Sequence, residues 1–269
     1  MRYETVHDLT LPKIGFGTWS IGGGTYADRS RDAKSLSALR SALDLGYTHF
    51  DTAEMYADGH AEELIGRAVR ESRKKREELF ITSKVKPSNL HYSDVLKSCE
   101  ASLHRLGLGY IDLYLIHWPM VGMNLSDTFR ALNKLVRDGK VKHLGVSNFK
   151  HKILKEAQGL SETPIITNQV PYSLSDHSYV KNGVLEYCQK NNILLTAYSP
   201  VDVGRLRVGN ALQSIADAHN ANPFQIALAW LINQPCVIAI PMSFDPKHQK
   251  ENLDSADIIL TEEEMKQLN

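Results

Sequence analysis

The run Tyr110-Ile111-Asp112-Leu113-Tyr114-Leu115-Ile116-His117-Trp118 is almost wholly apolar and then closes on an imidazole. A strand that reads as one apolar block is buried on both faces, as in a parallel sheet covered by helices. The same form recurs at Ile14 to Trp19, Tyr47 to Asp51 and Leu79 to Val85 before it, and at Val141 to Asn148, Ile165 to Val170, Ile193 to Ser199 and Val237 to Met242 after it. The starts are mostly about thirty residues apart, the length of one strand-plus-helix unit.

Helical periodicity fills the gaps. Leu36, Leu39 and Leu43 share one face, and Gly46 closes that helix. Ser93 to Leu106 places Val95, Cys99 and Leu103 on one stripe and stops at Gly107, with Ser126 and Asp127 available to cap the following helix. At the start of the chain, Tyr3 to Pro12 reads as a β-hairpin turning at His7-Asp8 and plugging the lower end of whatever the strands enclose. No Pro-, Gly- or Ser-rich linker divides residues 1–269, so a single domain is expected.

Eight such units can lie open or close into a barrel. Asp51, Lys84, His117, Asn148, Gln169 and Tyr198 stand at or near the C-terminal ends of successive runs. An open sheet would spread them along a line, whereas a barrel gathers them at one mouth, where barrel enzymes keep their active sites. The expected fold is an α/β barrel.

Hydrophobic residues make up 42% of the chain and charged residues 23%, enough for a packed core. Lys plus Arg equal Asp plus Glu at 31 each, which gives nucleic acid or an acidic membrane no net field to follow and points to a small partner. The basic run Arg73 to Arg76 falls at a helix end and reads as solvated. Cys99, Cys188 and Cys236 show neither a disulfide framework nor a zinc spacing and read as buried thiols, with no metal site expected. Lacking a signal-like start or an apolar run of about 18 residues, the chain is expected in the cytoplasm, with a monomer favoured.

Gly15-Phe16-Gly17 lacks the third glycine of a dinucleotide fingerprint, and Gly22-Gly23-Gly24 reads as a mobile loop. HExxH, paired CxxC, GxSxG and GxxxxGK[ST] are missing. Asp51, Tyr56, Lys84 and His117 remain. Singly, each has an ordinary role: a turn cap, a rim aromatic, an ion-pair partner, a satisfied core histidine. Together at one mouth they favour function, because buried titratable groups are costly unless paired or used. An ammonium at Lys84 is expected to lower the pKa of Tyr56 toward neutrality, with Asp51 keeping Lys84 charged and His117 orienting a carbonyl oxygen. A barrel aldolase or isomerase using Lys84 as a Schiff base would need that lysine free of Asp51.

Asp51-Thr52-Ala53-Glu54-Met55-Tyr56, Lys84 and His117-Trp118-Pro119 resemble the tetrad motifs of the aldo-keto reductases. Gly15-Phe16-Gly17-Thr18-Trp19, Gly145-Val146-Ser147-Asn148-Phe149, Asn168-Gln169-Val170, Tyr198-Ser199-Pro200 and Glu251-Asn252-Leu253 extend the resemblance over nearly the whole chain. It implies a (β/α)8 TIM barrel that binds NADP(H) across its mouth and reduces aldehydes or ketones reversibly. In that light Tyr56 is the general acid, Lys84 and Asp51 the pair that tunes it, and His117 the residue that positions the substrate oxygen. Ser147, Asn148 and Gln169 hold the nicotinamide carboxamide, and Tyr198 stacks on its ring. Thr18, Trp19, Asp51, Ser199, Pro200 and Val201 are further implied cofactor contacts, joined by Met242, Ser243, Phe244, His248, Glu251 and Asn252 at the other end. Trp19, Met55 and Trp118 form the substrate pocket. The alternative within the family is a cofactor-bound binding or structural subunit with little turnover.

The chain departs from that pattern where the adenosine 2′-phosphate is gripped. Met242 and His248 stand where NADPH-committed relatives carry Lys and Arg, so NAD(H) is a close second to NADP(H). Asp245-Pro246 reads as a helix cap, and its carboxylate could accept a free ribose hydroxyl, while Ser243, Lys247 and Lys250 offer donors to a phosphate. The long C-terminal loop of many relatives is missing after Asn269, so an open mouth and small aldehydes, ketoacids or dicarbonyls are expected.

Overall fold

A computed structural model describes residues 1–269. The hairpin pairs β1 (Tyr3–Val6) with β2 (Leu9–Pro12) around His7. Eight parallel strands follow: β3 (Phe16–Gly17), β4 (His49–Asp51), β5 (Phe80–Val85), β6 (Ile111–Ile116), β7 (Val141–Ser147), β8 (Ile165–Pro171), β9 (Leu194–Tyr198) and β10 (Val237–Ala239), each bonded to the next. The ring closes where the Gly15 N–H donates to the Ala239 carbonyl (2.8 Å), the Ala239 N–H to Lys13 (2.9 Å) and the Gly17 N–H to Pro241 (3.1 Å).

Around the ring lie α1 (Asp32–Leu45), α2 (His60–Glu71), α3 (Tyr92–Leu106), α4 (Leu125–Arg137), α5 (His151–Leu160), α6 (Ser178–Lys181), α7 (Val184–Lys190), α8 (Asn210–Ala218) and α9 (Pro223–Ile232). Two more, α10 (Pro246–Asp254) and α11 (Glu262–Gln267), follow the last strand. The expected (β/α)8 barrel is observed. Leu36, Leu39 and Leu43 on α1 and Val95 and Cys99 on α3 are buried, and Gly46 and Gly107 end those helices in the left-handed region. Inside the ring, Val6 and Leu11 of the hairpin pack with Leu113, Leu115, Ile166, Leu194 and Ile238, so the hairpin forms the barrel's floor.

Three local expectations are corrected. Asn124 caps α4, its Oδ1 accepting the Asp127 N–H (3.1 Å), because Asp127 lies a turn inside and its carboxylate instead accepts the Tyr92 N–H at the start of α3 (2.8 Å). The basic run follows α2, and Arg76 is not solvated: it donates to Asp112 (2.5 Å) and the Tyr110 carbonyl (2.9 Å), while Asp112 also accepts the Ile81 N–H (2.9 Å) and pins β5 to β6. Cys99 and Cys188 are buried, but Cys236, in the turn ahead of β10, is partly exposed. No helix is long and apolar enough to cross a membrane.

Gly17 lies on the closing seam. A Cβ there would stand 2.6 Å from the Ile240 carbonyl oxygen, a backbone atom held within the ring. Gly17→Ala is expected to reduce unfolding free energy by about 1–3 kcal/mol. A lower urea midpoint with the slope retained would show this, and an unmoved midpoint would mean the seam is pliable.

Candidate active site

Parallel register carries the polar strand ends to one face. Lys84, on β5, is fully buried, and its ammonium donates to Asp51 Oδ1 (2.5 Å), the Thr52 carbonyl (2.7 Å) and Tyr56 Oη (3.3 Å). Those contacts account for all three ammonium donors. Across the barrel, Gln169 Nε2 donates to Asp51 Oδ2 (2.7 Å), so both carboxylate oxygens are also engaged. Burial opposes the charge on Lys84, but Asp51 and Tyr56 together outweigh it and hold the ammonium above the ordinary lysine pKa.

Tyr56 follows β4 in a turn where Ala57, Asp58 and Gly59 all have positive φ (48°, 52° and 87°). That strained reversal is held by the Ala57 N–H, which donates to the Gly24 carbonyl (2.7 Å). The triple glycine expected to be mobile is therefore a brace: the Gly22 N–H donates to Ser35 Oγ (3.0 Å) and the Gly22 carbonyl accepts from Asp28 (2.7 Å). The Tyr56 ring meets Trp19 edge-on at 5.1 Å and His117 at 5.7 Å. Its hydroxyl is not driven toward ionisation. Burial raises its pKa, and with the Asp51 charge this outweighs the Lys84 ammonium, which corrects the lowering expected from sequence. Sequence reasoning identified the ammonium but not the desolvation of the phenol by the residues packed around it.

His117, just past β6, stacks on Trp118 at 4.1 Å and 21°. Its Nδ1 is buried without a partner, and burial, reinforced by the Lys84 charge, pushes the imidazole pKa down to about 2. The ring is therefore neutral and keeps one N–H to donate.

These groups border a cavity of about 980 Å³. Its wall includes Asp51, Gln169 and Tyr198, the pocket group Trp19, Met55, Tyr56, His117 and Trp118, and the expected cofactor positions Thr18, Ser199, Pro200 and Val201. At the α10 side it includes Met242, Ser243, Phe244, His248, Glu251 and Asn252. Lys84, Ser147 and Asn148 stand behind the wall. Asn148 Nδ2 donates to the His117 carbonyl (3.0 Å) and to Ser147 Oγ (2.9 Å), Ser147 Oγ donates to the Gln169 carbonyl (2.8 Å), and Tyr198 Oη donates to Asn148 Oδ1 (3.0 Å). Their hydrogen bonds run to His117, Gln169 and Tyr198, which border the cavity. Asp245 is committed as the α10 cap, its carboxylate accepting the Lys247 N–H (2.8 Å).

Val203, Gly204 and the Asn222-Pro223-Phe224 start of α9 also line the cavity and were missed. The α9 start carried a legible signal: Asn222 and Gln225 form a reciprocal capping box with proline in the first turn. Nothing in the sequence marks Val203.

Residues 13–269 match the family model described as the Aldo/keto reductase family. The chain belongs to that family. Relatives of this aldo/keto reductase include methylglyoxal reductase YeaE of Escherichia coli (strain K12), 38% identical over 268 residues that cover 97% of this chain and 91% of that one. Glyoxal reductase of Bacillus subtilis (strain 168) is 37% identical over 261 residues, covering 97% and 89%. Among solved structures, the thermostable aldo-keto reductase Tm1743 with the inhibitor epalrestat superimposes with a TM-score of 0.95 at 44% identity, covering 100% of this chain and 98% of that one. A Klebsiella pneumoniae aldo-keto reductase in complex with NADPH gives 0.88 at 36% identity, covering 100% and 94%.

The buried imidazoles make stability depend on pH. His49, which meets Thr82 Oγ1 at 3.1 Å, is pushed by burial down to about 4, and His117 to about 2. Both titrate near 6.5 when unfolded, so their contribution is present above that pH and is lost as pH falls toward the folded values. Between pH 7 and 5 each is expected to cost about 2 kcal/mol. Urea unfolding of His117→Asn should show the pH dependence reduced by about that amount, and a dependence identical to the native protein's would contradict a neutral buried imidazole.

Proposed function

We propose that this chain reduces aldehyde or ketone carbonyls, with NADP(H) as hydride source and Tyr56 as proton donor. The observation that carries the reading is the Tyr56 hydroxyl 3.3 Å from an ammonium that is itself clamped by Asp51, on the wall of a long cavity. The residues present fit a nicotinamide dinucleotide: we assign Gln169 and the Tyr198 ring to the nicotinamide, and Ser243, His248 and Asn252 to the far end, because all of them line the one cavity. A reduced nicotinamide supplies a hydride when bound.

The protein supplies the rest. Neutral His117 offers an N–H to the carbonyl oxygen and orients it toward Tyr56. The Tyr56 phenol, kept protonated by burial, delivers its proton to that oxygen as it gains negative charge. Lys84 then stabilises the phenolate left behind, and Asp51 keeps the ammonium charged within the protein interior. Trp19, Met55 and Trp118 line the cavity beside Tyr56 and His117, where the carbonyl compound would lie.

NADP(H) ranks ahead of NAD(H) because the Asp245 carboxylate is committed to the α10 cap, while Ser243 and His248 remain as donors along the wall. Small carbonyl compounds, dicarbonyls among them, suit a mouth whose tryptophans are open to solvent, Trp19 at 46% and Trp118 at 38% exposure. The methylglyoxal and glyoxal reductase names of two relatives support that class. We assign the activity to one domain acting in the cytoplasm, a reducing compartment that suits three free cysteines.

Tyr56→Phe should lower kcat for carbonyl reduction by roughly 100-fold or more while NADPH affinity stays within a fewfold. Steady-state rates with fluorescence titration separate the two effects, and near-native turnover would overturn Tyr56 as the donor.

A further inference from the structure

We propose that Arg31 and Lys34, at the start of α1, recognise the 2′-phosphate of NADP(H) in place of a cationic pair on the last strand and α10. This rests on the reading that the cavity takes NADP(H). The wall at that end is built from a thioether at Met242, a hydroxyl at Ser243, the Phe244 ring and exposed His248. Lys247 is already turned toward Glu251, its Nζ 3.8 Å from Oε1. A phosphate carrying up to two negative charges finds little fixed positive charge there.

Phe244 brings the missing cations to the wall from another element. Lys34 Nζ lies 4.7 Å from the centre of its ring, and the Arg31 guanidinium carbon 5.6 Å from it. Neither side chain has an ion-pair partner or a side-chain hydrogen bond, whereas their neighbours do: Arg29 faces Glu63 (3.7 Å), Arg40 faces Glu71 (2.5 Å) and Asp32 pairs with His60 (2.7 Å). The cation–π contact places both head groups without neutralising them, leaving their donors for an anion. The nearby carboxylates are committed, Asp245 to its cap, Glu251 toward Lys247 and Asp32 to His60.

The placement of α1 beside this wall is built in. Buried Gln249 of α10 donates through Nε2 to the Ala38 carbonyl of α1 (3.1 Å) and to the Ser243 carbonyl (2.8 Å), and its backbone carbonyl accepts from Tyr47 Oη (2.8 Å). The Ser243-Phe244 segment, α1 and α10 are thus joined through one side chain. A guanidinium and an ammonium on long stems can turn past the edge of the Phe244 ring to meet a phosphate on the wall.

The test is titration of the native protein and an Arg31→Ala/Lys34→Ala variant with NADPH and with NADH, read by tryptophan fluorescence, since Trp19 and Trp118 line the cavity. The variant should lose roughly tenfold or more in NADPH affinity and less than about twofold in NADH affinity, with the NADPH loss shrinking as salt is raised. An unchanged ratio of NADPH to NADH affinity overturns the assignment, as does a native protein that binds NADH as tightly as NADPH. Native protein that binds neither dinucleotide would instead overturn the cofactor reading and this assignment with it.

Discussion

A full positive charge and a full negative charge sit 2.5 Å apart with almost no access to water, Lys84 at 0% and Asp51 at 2% side-chain exposure. Such a pair is poor value as a stabiliser, since desolvating two ions offsets much of their attraction and an apolar replacement is often no worse. Its partners suggest another use. Thr52 and Gln169 occupy the remaining bonding capacity, and the one neighbour able to exchange a proton with a ligand is Tyr56. The barrel closure, the strained turn after Tyr56 and the glycine brace all serve to hold that hydroxyl against the ammonium.

The same burial keeps Tyr56 and His117, side by side on the cavity wall, in their neutral forms. Tyr56 is held protonated by desolvation, and the ammonium matters after the proton has left rather than before. His117 is held neutral by the same desolvation and by repulsion from Lys84, which leaves it as a donor to oxygen rather than a competing acid. One buried charge pair therefore sets the roles of both neighbours.

Much of this was legible in the sequence, because strand ends and helix stripes are properties of local pattern. Asp51, Lys84 and His117 could be placed at one mouth from spacing alone, and Gly46 and Gly107 from their positions after apolar stripes. What was not legible depends on competition between several groups in three dimensions. The direction of the Tyr56 shift is the balance of burial, an ammonium and a carboxylate, and the sequence names the charges without the burial. Gly22 to Gly24 looked mobile because the partners of that loop, Ser35 and Ala57, lie elsewhere in the chain. Arg76 looked solvated for the same reason, since Asp112 sits on another strand, and Arg31 and Lys34 approach Phe244 from the far end of the sequence. Asn124 won the α4 cap over Asp127 by one turn of position.

The most direct test of the central claim is the single-turnover rate of carbonyl reduction by Lys84→Met with NADPH already bound, measured against the native protein at pH 7. If the buried ammonium enables proton delivery from Tyr56, the variant should bind NADPH yet react roughly 100-fold or more slowly. A rate within about threefold of native, with cofactor bound, would contradict it.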